Sequence, residues 1–162
     1  MATIKSKEKK VSVLLKEKFI NLNLESSTKK EVIAELASIV AQSKKLKNKK
    51  AFFEAILERE SLGSTGIGCG VAIPHAKTKV AGDFILAFGR HQEGIDFGAL
   101  DGEKTYLFFV LASPKDDIGG HLKILAEVSR IVKDKFTVDL LRRTEDKKEV
   151  LKIIINAEKH LK

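Results

Sequence analysis

The chain has 162 residues, 43% hydrophobic and 32% charged, the length and balance of one globular domain with a substantial core. No apolar stretch reaches membrane-spanning length, no hydrophobic segment follows the lysine-rich start as in a signal peptide, and a lone cysteine, Cys69, excludes an internal disulfide framework; the expectation is a cytoplasmic protein without membrane insertion. The net charge of +8 lies entirely in residues 1–50, with 13 lysines against 5 acids, while residues 51–162 balance 17 against 17. With no Trp and one Tyr, the chain lacks the stacking platforms of a nucleic-acid binder, so the lysines read as solvated faces or as an attraction for an acidic partner protein.

In chain order, residues 1–10 read as a flexible lysine-rich tail. Val11 to Leu15 suits a short helix or strand packed on the core. Thr28 and Glu31 fit a capping box ahead of a helix whose buried stripe is Val32, Ile33, Leu36, Ile39 and Val40. Asn48 caps a second helix, with Phe52, Phe53, Ile56 and Leu57 buried and Gly63 ending it. The period then changes: Val71 to Ile73, Phe84 to Phe88 and Tyr106 to Leu111 are short apolar runs bounded by Gly, Asp and Pro, as buried strands are. Helical spacing resumes after Gly119 and Gly120 at Leu122, Leu125, Val128, Ile131 and Val132. A short helix follows at Val138 to Leu141, and Thr144 caps a last one carrying Val150, Leu151, Ile154 and Ile155. This order predicts an α/β fold: a single-domain mixed α/β sandwich with a central mixed sheet of about five short strands flanked by helices.

The densest chemistry lies between Gly63 and Thr78. Glycines at 63, 66, 68 and 70 permit tight turns, and Pro74 drives Ile73 into extended geometry, so His75 emerges at a stiff strand end. A neutral imidazole there can act as a nucleophile toward phosphate, with the Ser64 and Thr65 hydroxyls and nearby backbone amides as donors. A surface histidine at a loop start, or a core histidine satisfied by one hydrogen bond, carries the same signature. His121 opens a helix, where anions are favoured, or simply caps it. Arg59 ends the second helix and offers a guanidinium to phosphate, to a partner's acid, or to Glu58 or Glu60. Cys69 reads as a small space-filler, with a thiol nucleophile as the sharper alternative. His91 and His160 read as solvated. No histidines lie one helical turn apart for a metal, and no phosphate loop for ATP is present.

Several separated motifs together carry a resemblance. Glu58 to Gly63 leads into the glycine segment and His75. Ala87 to Arg90, Glu93 to Phe97, Leu100 to Gly102, the run Leu107 to Leu111, Pro114 and Gly120 to Lys123 follow in order. The pattern resembles the enzyme IIA proteins of the phosphoenolpyruvate-dependent sugar phosphotransferase system, in the fructose/mannitol/nitrogen-regulatory (type 2) class, over roughly residues 12 to 156. The resemblance implies a domain at 11–158 and a phosphocarrier without a cofactor. His75 would accept a phosphoryl group from a histidine phosphocarrier protein and pass it to a cysteine of enzyme IIB, assisted by His121 and Arg59. It suggests the outer ring nitrogen as acceptor. The motifs look closest to the fructose-type proteins of sugar uptake. The alternative is a free-standing nitrogen-regulatory type that controls other proteins through its phosphorylation state.

Overall fold

The computed structural model describes residues 10–161; the N-terminal tail expected at 1–10 lies, apart from Lys10, outside them. A short helix α1 (Val11–Leu14) and a 3-10 turn (Glu17–Phe19) lead into strand β1 (Ile20–Asn21). Helices α2 (Lys29–Val40) and α3 (Lys49–Ser61) follow, then short strands β2 (Gly66–Gly68), β3 (Val71–Ala72) and β4 (His75–Thr78). Long strands β5 (Ile85–Ile95) and β6 (Thr105–Pro114) precede helices α4 (Ile118–Val132), α5 (Lys135–Arg143) and α6 (Lys147–Lys159). The expected mixed α/β arrangement is the one observed, with six strands in one sheet among the described residues and two of them longer than anticipated.

The sheet runs β1-β5-β6-β3-β2, with β4 also paired to β6. Antiparallel β5 and β6 form its spine. Both β3 and β4 lie parallel along the free edge of β6, Val71 opposite Leu107 and His75 opposite Leu111. They are one edge strand interrupted at Ile73 and Pro74, and Pro74, which has no N–H to contribute, still accepts from Leu111 N at 3.0 Å. Ile85 to Arg90 and Leu107 to Ser113 are buried throughout, so both faces of the spine are covered. Adjacent residues of β5 identify the covers, since neighbours in a strand point to opposite faces. A Cβ on Gly89 would lie 2.8 Å from Leu36 of α2. Arg90 turns the other way, toward the carbonyls of Leu141 and Arg142 at the end of α5.

The caps explain where the helices begin. Thr28 accepts from Glu31 N at 3.2 Å, and Asn48 from Ala51 N at 3.0 Å, as the sequence implies. The first segment is helical because carboxylates meet its leading amides: Val11 N donates to Glu127 of α4 at 2.9 Å and Ser12 N to Glu158 of α6 at 3.1 Å. Several expectations shift; in α3, Phe53 and Leu57 are only partly buried. Thr144 does not cap the last helix. It closes α5, with its N–H on Leu140 O, and Asp146 caps α6 by accepting from Lys148 N at 2.9 Å. In α4 the buried stripe is His121, Ile124, Val128, Ile131 and Val132, while Leu122 is 59% exposed. The histidine occupies the core-facing slot and rotates Leu122 outward.

Arg90 was legible only as part of a motif. It is 1% exposed, donating from Nε to Leu22 O at 3.2 Å and from Nη1 to the carbonyls of Leu141, Arg142 and Thr144. A guanidinium thus meets the helix carbonyls that have no intrahelical partner. His91, expected in a solvated loop, is half-buried in β5 with Nε2 2.8 Å from Ser26 O; His160 is exposed as expected.

Candidate active site

The site forms where the broken edge strand restarts. His75 is the first residue of β4, and its Nδ1 lies 2.6 Å from the carbonyl of Ile73. A carbonyl only accepts, so Nδ1 carries the ring proton and Nε2 keeps its lone pair. The ring is half-buried, and that burial holds its pKa below the usual imidazole value. The Ile73 carbonyl and Glu60 pull it back up, while Arg59 and Lys77 push it down. A neutral imidazole with a free Nε2 at neutral pH is a nucleophile that needs no separate base.

A second imidazole stands beside it. His121 lies in the first turn of α4, its ring centroid 5.3 Å from that of His75 at an interplanar angle of 57°. The turn is set by Asp117, whose carboxylate accepts from Gly120 N at 2.9 Å. It sits tight against the sheet, since a Cβ on Gly120 would lie 2.6 Å from Phe84 Cζ. His121 is 4% exposed and its Nδ1 is 2.7 Å from the hydroxyl of Ser113, a wholly buried residue of β6. Burial, then the neighbouring His75 and Lys77, lower its pKa to about 4, so it too is neutral at neutral pH.

The glycine segment serves His75 as scaffold. Glu60, 8% exposed at the end of α3, accepts from Thr65 N at 3.1 Å and from the Thr65 hydroxyl, and pairs with Lys29 at 2.9 Å. The Thr65 carbonyl then accepts from Ile73 N at 3.0 Å, and the Ile73 carbonyl holds the imidazole. A continuous chain of hydrogen bonds therefore runs from the end of α3 to His75. This corrects the expectation for Ser64 and Thr65 as phosphate donors. The Ser64 hydroxyl donates to Phe97 O at 2.8 Å and that of Thr65 to Glu60, so each single proton is already committed. Two amides of the segment are also engaged, Gly66 N with Ser64 and Cys69 N with Asp101, both at 2.9 Å. Cys69 fills no space: it is exposed, at φ 57° in the left-handed region.

Arg59 donates to Gly63 O at 2.8 Å and stays close enough to His75 to depress its pKa. Its guanidinium has further donors for an anion at the imidazole. Leu62 (82% exposed) follows α3, Leu100 (89%) lies in the loop between β5 and β6, and Ile118 and Leu122 are exposed on α4. Two hollows, of 800 Å³ beside Phe19 and Phe84 and 680 Å³ among α4, α5 and α6, contain neither imidazole. Among the described residues no group of three or more His, Cys, Asp or Glu is placed to hold a metal, and no helix is long and apolar enough to cross a membrane.

A family model described as "Phosphoenolpyruvate-dependent sugar phosphotransferase system, EIIA 2" matches residues 13–157. The chain belongs to this EIIA family. It is 40% identical over 142 residues to the "PTS system fructose-specific EIIABC component" of Bacillus subtilis, a match covering 88% of this chain and 21% of that much longer protein. It is 35% identical over 131 residues to the "Nitrogen regulatory protein" of Bradyrhizobium diazoefficiens, covering 81% of this chain and 85% of that one. Among solved structures, nitrogen regulatory protein IIA-Ntr from Neisseria meningitidis superposes with a TM-score of 0.83 at 31% identity, covering 89% of this chain and 98% of that one. As an EIIA, the chain is a component of a phosphotransferase relay and a phosphocarrier. Two polar residues of the candidate site escaped sequence reasoning. Glu60 hides among charged neighbours and Ser113 at the end of an apolar run; neither has a signal apart from its partners in the fold.

Proposed function

We propose that His75 accepts a phosphoryl group on Nε2 from a phosphohistidine of a histidine phosphocarrier protein and delivers it to a cysteine of an enzyme IIB, in sugar uptake of the fructose/mannitol type. The observation that carries this reading is the bond from Nδ1 to the Ile73 carbonyl, which leaves Nε2 as the nucleophile. As the new N–P bond forms, the N–P bond of the donor breaks and its electron pair returns to the donor imidazole. No proton has to leave His75. The Ile73 carbonyl meets an N–H that becomes more positive as the phosphoryl group arrives, and Arg59 and His121 face the phosphoryl charge. In-line positioning and charge stabilisation are what such a transfer requires. The exposed Leu62, Leu100, Ile118 and Leu122 suit a protein surface as donor and acceptor, with one domain at 11–158 serving both steps.

A second reading has support in the relatives named nitrogen regulatory proteins: the phosphorylation state of His75 would then control other proteins. Incubation with phosphoenolpyruvate, the first enzyme of the relay and its small carrier protein, followed by intact mass, tests the common step. One phosphoryl group is expected on the native chain and none on His75→Ala. A fully labelled His75→Ala refutes the assignment. Onward transfer to an enzyme IIB separates uptake from regulation.

A further inference from the structure

We propose that Ser113 is a positioning residue that fixes the proton of His121 on Nε2, so that His121 presents an N–H donor to the group transferred at His75. This rests on the relay reading above. The Ser113 hydroxyl is wholly buried and lies 2.7 Å from His121 Nδ1, and it has no other hydrogen-bond partner among the described residues. The pair can be arranged in two ways. If Nδ1–H donates to the hydroxyl, the hydroxyl's own proton is buried without an acceptor, which is costly. If the hydroxyl donates to Nδ1, its single proton is used, and the neutral ring must carry its proton on Nε2. The second arrangement uses the buried hydroxyl proton and the Nδ1 lone pair together and leaves only Nε2–H without a partner in the pair.

The consequence is a complementary couple of rings. His75 has its proton on Nδ1, held by Ile73, and a lone pair on Nε2. His121, with its centroid 5.3 Å away, has the lone pair on Nδ1, held by Ser113, and an N–H at Nε2. The ring of His121 forms its one side-chain hydrogen bond among the described residues through Nδ1, which leaves Nε2 without a partner, and the residue keeps 4% exposure. A nucleophile and a donor thus stand side by side, the donor ready for a phosphoryl oxygen as negative charge gathers there.

Long-range 15N–1H correlation spectra of the full chain at neutral pH read the tautomer without any phosphoryl donor. The expected result is a single Nε2–H tautomer for His121, a mixture of both tautomers in Ser113→Ala, and a single one again in Ser113→Thr. Phosphoryl acceptance from the phosphorylated carrier protein should slow about tenfold in Ser113→Ala, less than complete loss of an oxyanion donor would cause, and recover in Ser113→Thr. An Nδ1–H tautomer in the native chain overturns the proposal, as does a single Nε2–H tautomer retained in Ser113→Ala. If the alanine variant does not fold, the native spectrum decides alone. A native chain that takes no phosphoryl group refutes the relay reading instead, and the spectra still judge Ser113.

Discussion

Removing the Glu60 carboxylate should cost stability and misplace His75, although Glu60 is assigned no contact with phosphate. The residue is 8% exposed and accepts both the amide and the hydroxyl of Thr65, itself 5% exposed. In Glu60→Ala those two buried donors lose a charged acceptor, each worth about 1.5–3 kcal/mol. Lys29 loses its ion partner but keeps the Phe97 carbonyl at 3.1 Å and the face of the Phe97 ring at 4.4 Å, and it is 30% exposed, so its stranded charge adds little. The expected destabilisation is about 3–5 kcal/mol, the usual cost of breaking a buried pair from one side. For a chain of this length that corresponds to a fall in Tm of about 6–20 °C. Glu60→Gln retains one acceptor for Thr65 and should lose about half as much. Urea unfolding followed by circular dichroism measures both variants, and phosphoryl acceptance by the folded fraction should slow as the Thr65–Ile73 link loosens. An alanine variant within about 1 kcal/mol of the native chain, or a glutamine variant worse than alanine, would refute this reasoning.

Two further outcomes follow from the same geometry. Because His121 has its pKa lowered to about 4, the unfolded chain binds more protons than the folded one between that pH and the ordinary histidine value near 6.5. Stability should therefore fall as pH drops through this window, by up to about 3 kcal/mol, and stay level from this source above it. His75 adds a slope of the same sign. Urea melts across the window, compared with His121→Phe, isolate the contribution, and equal slopes would exclude it. Gly120→Ala places a Cβ 2.6 Å from Phe84 Cζ and should cost about 1–3 kcal/mol while shifting His121 away from His75. Phe84→Leu in the same chain should recover part of the loss in a thermal melt, and no recovery would mean that the clash lies elsewhere.

Local chemistry was legible from the residues themselves. Thr28 and Asn48 cap the helices they announce, because a cap is a contact within three residues. Proline and glycine around His75 forecast an imidazole at a rigid strand end, and that is its position in β4. What failed depends on partners remote in the chain. Ser64 and Thr65 look like free donors until Phe97 and Glu60 claim their protons. Leu122 looks like core until His121 takes the inward slot, an arrangement that makes sense only beside buried Ser113. Cys69 looks like filler, but the turn stabilised by Asp101 turns it to solvent. Thr144 has the composition of a start signal, yet Arg90 and Leu140 recruit its backbone to close the preceding helix. Ser64, Thr65 and His121 were misread because their partners Phe97, Glu60 and Ser113 cannot be read from local periodicity and spacing.

Arg90 also bears on how the polypeptide matures. Its acceptors are far apart in sequence, Leu22 before it and Leu141, Arg142 and Thr144 after it. Until the ribosome has released residues 141–144, Nη1 of the Arg90 guanidinium in the central hairpin lacks its carbonyl acceptors and only Nε has one, at Leu22, so closing the apolar interior over the cation is opposed. Nascent fragments ending before Leu141 should stay open and protease-sensitive, so assembly waits for the segment from Leu141 to Thr144.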